Sequence, residues 1–257
     1  MELLKIYYEF LKVFQQRELY VGLIICTLLY GLSFKISSAD TINLAVVNGI
    51  PYIGYWFIII MTIIVATHSE VFEQEHAMNE LLGTLKKGHV SLTRTKLLVQ
   101  ALMSLSIVSY FFILTLVISV VMWKDVPNFN VVDSPYVPFT MNSWLILGIE
   151  FTIALLGSVF LNFIMQFLAQ FIKHSGWLMI IGGTIFIGIE VLTRYGIFSD
   201  IKIINWLTTY SFNNVLSMTI FTSFWNYTIQ DVSTFLLLGS MVMFGMIIIT
   251  RKIRSYV

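Results

Sequence analysis

Two carboxylates stand inside long apolar runs of this chain, Glu150 and Glu190, where an unmatched charge is costly and each acid needs a reason. Glu190 has Arg194 one helical turn later, the spacing of an intrahelical ion pair. Glu150 has no partner nearby in sequence. An interhelical hydrogen bond, a wet cavity or a place on a substrate path would each account for it. Tyr52, Tyr55 and Trp56 open another apolar run, as aromatic residues do at a membrane–water boundary, with the lining of a path as their second reading. His68, Glu73, Glu75 and His76 are metal-ligating types, but they do not form a His-Glu-x-x-His motif, and a solvated helix face accounts for them. Gly83 to His89 (GTLKKGH) has glycine and lysine without the Gly-x-x-x-x-Gly-Lys-[Ser/Thr] spacing of a phosphate-binding loop, and no strand precedes it. No metal site, catalytic group or nucleotide site is therefore expected in this chain.

The elements that would position these residues are apolar. Of 257 residues, 58% are hydrophobic and 11% charged, with a mean hydropathy of +0.85, whereas a soluble domain carries about 25% charged residues. The composition reads as an all-α integral membrane protein with a single domain over residues 1–257 and no electrostatic footprint for nucleic acid. Cys26, the one cysteine, lies in the first apolar run, which excludes an intramolecular disulfide.

Residues 2–16 place Glu2, Lys5, Glu9, Lys12 and Gln16 three or four apart, with Leu4, Tyr7, Leu11 and Phe14 between them. This predicts an amphipathic helix lying in the membrane interface, within an interfacial segment 1–17, and no cleavable signal. Six spans are expected, near 19–34, 51–67, 97–122, 143–171, 177–195 and 232–250, each set against the ~20 residues a helix needs to cross. The loop 35–48 reads as polar, and Pro51 suits the first turn of the second span. The loop 125–142 holds Pro127, Pro135 and Pro138 and reads as irregular. Gly182, Gly183 and Gly188 would let the fifth span approach its neighbours closely. Residues 197–231 are aromatic but interrupted by Asp200, Lys202, Asn205, Asn213, Asn214, Asn226 and Asp231, which predicts re-entrant helices on the outer side.

Between the second and third spans, residues 69–96 are crowded with charge. Glu70, Glu73, Glu75 and Glu80 come first, and Lys86, Lys87, Arg94 and Lys96 follow. In a helix Phe72, Met78, Leu81, Leu82 and Leu85 can share an apolar side while Glu73, Glu80 and Lys87 point away. Gly88 breaks this pattern, and Ser91 is placed to cap the next helix. With both termini inside, eleven of the fifteen Lys and Arg fall on inner segments, and this excess sets the orientation.

The run from Glu75 through Leu81, Leu82, Gly83, Thr84 and Leu85, then Val90-Ser-Leu-Thr-Arg94 and Lys96, resembles the ABC-2 type transporter permeases. His89-Val90 stands where that family has a proline. The resemblance implies a cytoplasmic coupling helix that docks on a separate ATPase, with Glu75, Glu80, Leu81, Leu82, Gly83, Thr84, Leu85 and Lys87 as the docking residues. It also implies two permease copies, or this chain with a paralogue, and two ATPase subunits that bind ATP and Mg. An amphipathic N-terminal helix, both ends inside and re-entrant helices before the last span belong to the same pattern. The Ile-, Phe-, Asn- and Lys-rich usage resembles that of low-GC Gram-positive bacteria, in whose cell membranes small permeases of this type export amphipathic peptides such as lantibiotics and phenol-soluble modulins. Two other readings stand beside it. One is an immunity or sensor protein of the same fold. The other is an intramembrane CAAX-type protease, to which Glu190-Val-Leu-Thr-Arg194 and Phe72 with His76 bear a partial likeness in the wrong order and without a doubled Glu.

Overall fold

A computed structural model describes residues 2–34, 41–50, 54–75, 88–125, 127, 131–134, 137–172 and 174–188 of the chain. Among these residues the elements are helices apart from one short hairpin: α1 (Glu2–Phe14), α2 (Arg17–Phe34), α3 (Ile42–Gly49), α4 (Tyr55–Glu75), α5 (Gly88–Trp123), β1 (Val131–Ser134), β2 (Val137–Asn142), α6 (Ser143–Leu168) and α7 (Ser175–Gly183). A π-helical turn, Thr184–Gly188, continues α7. Two stretches, Thr95–Trp123 of α5 and Ser143–Leu168 of α6, are long and apolar enough to cross a membrane.

α1 is a separate helix, ended at Gln15–Gln16 before α2 begins. Its inward face is Ile6, Phe10, Val13 and Phe14, at the four- and three-residue steps of one helical side, and it packs on α5 and α4. Tyr7, expected on the apolar side, is instead 57% exposed. The packed stripe therefore lies slightly round the helix from the one the polar spacing indicates.

α2, α4, α5 and α6 form the bundle, and side-chain pairs fix their directions. Thr27 with Tyr110 (2.8 Å) and Tyr30 with Thr115 (2.6 Å) make α2 and α5 parallel. Gly22 lies against Met61 and Ile64 while Tyr30 meets Phe57 edge-on, so α4 runs antiparallel to α2. Asn162 donates to Ser104, and Phe112 meets Phe151 edge-on, so α6 runs antiparallel to α5. The C-terminal end of α4 and the N-terminal end of α5 consequently emerge at the same end of the bundle.

The bundle is apolar on the outside as well as in its core. Val21, Ile24, Ile25, Leu28, Leu29 and Leu32 form an exposed stripe along α2, and α5 exposes Leu98, Leu102, Leu105, Ile113, Val117 and Val121. α4 is central, with Phe57, Ile58, Met61, Thr62, Ile63, Val65, Ala66 and Thr67 all buried, as expected for a helix apolar on every side.

Three local expectations are corrected. The segment read as a polar loop over 35–48 contains α3, because the Thr41 hydroxyl caps it by accepting from the Leu44 N–H (3.3 Å) and Ile42, Ala45 and Val46 form a buried face. The Pro-rich loop contains the antiparallel pair β1–β2, with Val131 opposite Asn142 and Ser134 opposite Val137. Pro138 fits there because each strand of a two-stranded sheet has an unpaired edge on which a missing N–H costs little. Ser91 lies inside α5, which already starts at Gly88, so it is not the cap.

At its far end α5 stops where Lys124 adopts a left-handed backbone (φ 52°), its N–H bonding the Val120 carbonyl at 2.9 Å. α6 starts directly from β2, with the Asn142 Oδ1 accepting the Trp144 N–H at 2.9 Å.

Candidate functional site

The interior of the bundle carries a polar seam built mainly by α5 and α6. On α6 the seam is a ridge at strict four-residue spacing, Glu150, Ala154, Ser158, Asn162 and Gln166, which turns one side of an otherwise apolar helix inward. On α5 it is Gln100, Ser104, Val108, Phe111, Thr115 and Ser119, all buried and three or four residues apart.

At one end of the seam Asn162 donates its Nδ2 to the Ser104 hydroxyl at 2.6 Å and to the Gln100 carbonyl at 3.4 Å, and the Gln166 amide donates to the Gln100 side chain. Thr95 and Lys96 are buried at this same end, so Lys96 belongs to the interior and not to the solvated charge of residues 69–96. At mid-depth the Thr62 hydroxyl of α4 bonds back to the Ile58 carbonyl (2.7 Å) and shares a 2.8 Å bond with Ser158. This double use satisfies both hydroxyls without water.

Glu150 occupies the opposite end. It is 1% exposed, and neither carboxylate oxygen has a hydrogen-bond partner. The register that sets Ser104 beside Asn162 and Phe112 beside Phe151 brings Glu150 level with Thr115 of α5, and Ser119 lies one helical turn beyond. Thr115 bonds Tyr30, whose phenol is within electrostatic reach of the Glu150 carboxylate. The Ser119 hydroxyl is likewise buried without a partner.

The other residues singled out in the sequence are placed less uniformly. Tyr55 is buried at the start of α4 and Trp56 packs partly against the core, their rings 4.8 Å apart, so Tyr55 is an interior residue of the bundle. Glu75 is the last residue of α4, which carries the start of the charged segment as a continuation of the bundle helix. Tyr52, Glu80, Leu81, Leu82, Gly83, Thr84, Leu85, Lys87, Glu190 and the segment 197–231 lie outside the described residues. Among the described residues no three metal-ligating side chains come together. A shallow open groove is lined by His174, Gly176, Trp177 and Ile180 at the start of α7.

Sequence reasoning missed Ser158, Asn162, Gln166, Gln100, Ser104, Thr115 and Ser119. The signal for them was the four-residue recurrence of small and polar residues through apolar runs, which marks an inward helix face when the outward face is lipid-like. Compared with family models, with characterised proteins and with solved structures, the chain matches none of them.

Proposed function

We propose that this chain is the membrane-spanning permease subunit of an ATP-driven exporter of the ABC-2 type, acting on amphipathic peptides in a bacterial cell membrane with both termini on the cytoplasmic side. In this reading six helices cross the bilayer, α1 lies in the inner interface, and residues 197–231 re-enter from the outside. α2, α4, α5 and α6 provide the first four spans, and α7 begins the fifth. Two copies, or this chain and a paralogue, enclose the pathway, and two ATPase subunits bind ATP and Mg. The chain itself is not an enzyme.

The observation that carries the reading is the polarity of the bundle. Its lipid-like outside, with Val21, Ile24, Leu28 and Leu32 along α2, surrounds an interior in which hydroxyl and amide side chains bond helix to helix. In water the outward stripe would be an exposed patch, and in a bilayer it is the natural surface. The common end from which α4 leaves and α5 returns supports a coupling role for the charged residues between them, because that is where a motor outside the membrane would reach both helices. The four-residue ridge gives the coupled helices a packed seam along which to shift.

The test is affinity purification of the tagged chain from membranes. The expected result is stoichiometric recovery of a nucleotide-binding subunit and an ATPase activity stimulated by amphipathic peptide. Recovery of the chain with neither would favour the sensor or immunity reading. Cleavage of a prenylated peptide by the purified chain would favour the protease.

A further inference from the structure

The seam leaves one group unexplained. Glu150 is buried with both oxygens unpartnered, level with the Tyr30–Thr115 pair and one helical turn from the unpartnered Ser119 hydroxyl. Elsewhere in the seam Thr62, Ser158 and Ser104 are bonded across helices and Asn162 leaves only its Oδ1 without a partner, whereas both oxygens of Glu150 are left without one.

Surrounding elements bring no compensating charge within the described residues. α3, β2 and α7 contain no titratable side chain. α2 contributes Tyr30, while Tyr55 of α4 and Tyr110 of α5 are the nearest titratable residues on those helices. Lys124 is exposed beyond the end of α5, about 14 Å along the axis from Thr115, which is level with Glu150. A carboxylate with several unused lone pairs, and no cationic side chain near it among the described residues, is an acceptor lacking a positive partner.

We infer that Glu150 is the anionic half of a site for a small monovalent cation, a proton or a sodium ion, with the Tyr30–Thr115 pair beside it and Ser119 one turn beyond. The acid faces α5 and α2 from α6, so loading the site favours the packed arrangement and unloading it frees that end of the seam. A proton and a sodium ion share the chemistry of one positive charge on the carboxylate, and they differ in whether hydroxyl ligands are needed. The inference does not depend on an ATPase partner.

The experiment uses the full chain purified in neutral detergent, with thermal unfolding followed by tryptophan fluorescence between about pH 5 and about pH 8, in sodium chloride and in choline chloride. If the cation is a proton, the wild-type Tm falls by several degrees as pH rises in either salt, and Glu150→Gln is insensitive over the same range. If it is sodium, the wild-type Tm at the upper pH is several degrees higher in sodium than in choline, Glu150→Gln shows no difference, and Ser119→Ala shows a reduced one. Wild type and Glu150→Gln responding alike to pH and to sodium would overturn the site. Should Glu150→Gln not fold, carbodiimide labelling of the wild type decides. Modification of Glu150 that rises on acidification or is blocked by sodium supports the site, and modification indifferent to both overturns it.

Discussion

Tyr30 of α2 and Thr115 of α5 share a 2.6 Å hydrogen bond between side chains with essentially no solvent exposure. The same Thr115 hydroxyl donates to the Phe111 carbonyl at 2.7 Å, and the Tyr30 ring stands edge-on to both Phe57 and Phe111. One residue thus ties α2 to α4 and α5, through a polar tip and an apolar body.

The two parts separate by mutation. Tyr30→Phe keeps the ring contacts and leaves Thr115 bonded to its own helix, so it is expected to cost about 1 kcal/mol. Tyr30→Ala removes the ring from a site with no access to solvent and is expected to cost about 3–5 kcal/mol. Chemical unfolding of the purified chain in detergent measures both. Equal losses would show that the hydroxyl, not the ring, holds the three helices.

Among the described glycines of the fifth apolar run, Gly182 alone meets a neighbouring helix at short range. A Cβ there would lie 2.7 Å from the Met165 Sδ and 3.6 Å from Ile63, whereas one on Gly183 would meet nothing within 4 Å. Gly182→Ala asks only for a shift of the flexible Met165 side chain and should cost little. Gly182→Leu overfills the contact of α7 with α4 and α6 and should lower stability by about 1–3 kcal/mol, while Gly183→Leu should be near neutral. Thermal unfolding ranks the three variants, and the same loss in both leucine variants would contradict the packing of α7.

For α1 the contrast is between Phe10, packed on the core, and Tyr7, which is exposed. Phe10→Asp should detach the helix from α5 and α4, with a loss of about 2–4 kcal/mol, and Tyr7→Asp should change stability by less than about 1 kcal/mol. Spin labels at Lys5 and Lys12 then report depth. Signals from the bilayer core at either site would rule out the interfacial placement.

Coupling to a motor subunit rests on the charged segment. If residues 75–87 dock in a groove of an ATPase, Leu81→Asp or Leu82→Asp buries an unpaired carboxylate at the centre of the contact and should weaken it by roughly 3–5 kcal/mol. Lys87→Ala removes a rim charge, at a cost of about 1 kcal/mol or less. Pull-down of the ATPase and peptide-stimulated hydrolysis in membranes measure the difference. Wild-type coupling in both leucine variants, at normal expression, would place the motor elsewhere or exclude one.

The sequence by itself determined where the long helices lie. The apolar runs 19–34, 97–122 and 143–171 return as Arg17–Phe34, Thr95–Trp123 within α5, and Ser143–Leu168. Run length and hydropathy are properties of the residues alone, and a helix satisfies its own backbone, so no neighbour is needed to call it. The separation of α1 from the first span was legible too, since the polar spacing of residues 2–16 gives way to the apolar run that begins at 19. Only the tertiary structure decided which side of each helix turns inward. In runs apolar on every side the periodic contrast is weak, and it takes the pairing of Ser104 with Asn162 and of Thr62 with Ser158 to show that the ridge ending in Glu150 faces the interior. α3 and the hairpin were hidden for a related reason. Asn43 and Asn48 made a short buried helix look like a polar loop, and Pro138 is compatible with a strand because each strand of a two-stranded sheet has an edge that carries no ladder bond. Burial of Tyr55 and the close approach at Gly182 follow from what packs against them, which no local pattern encodes.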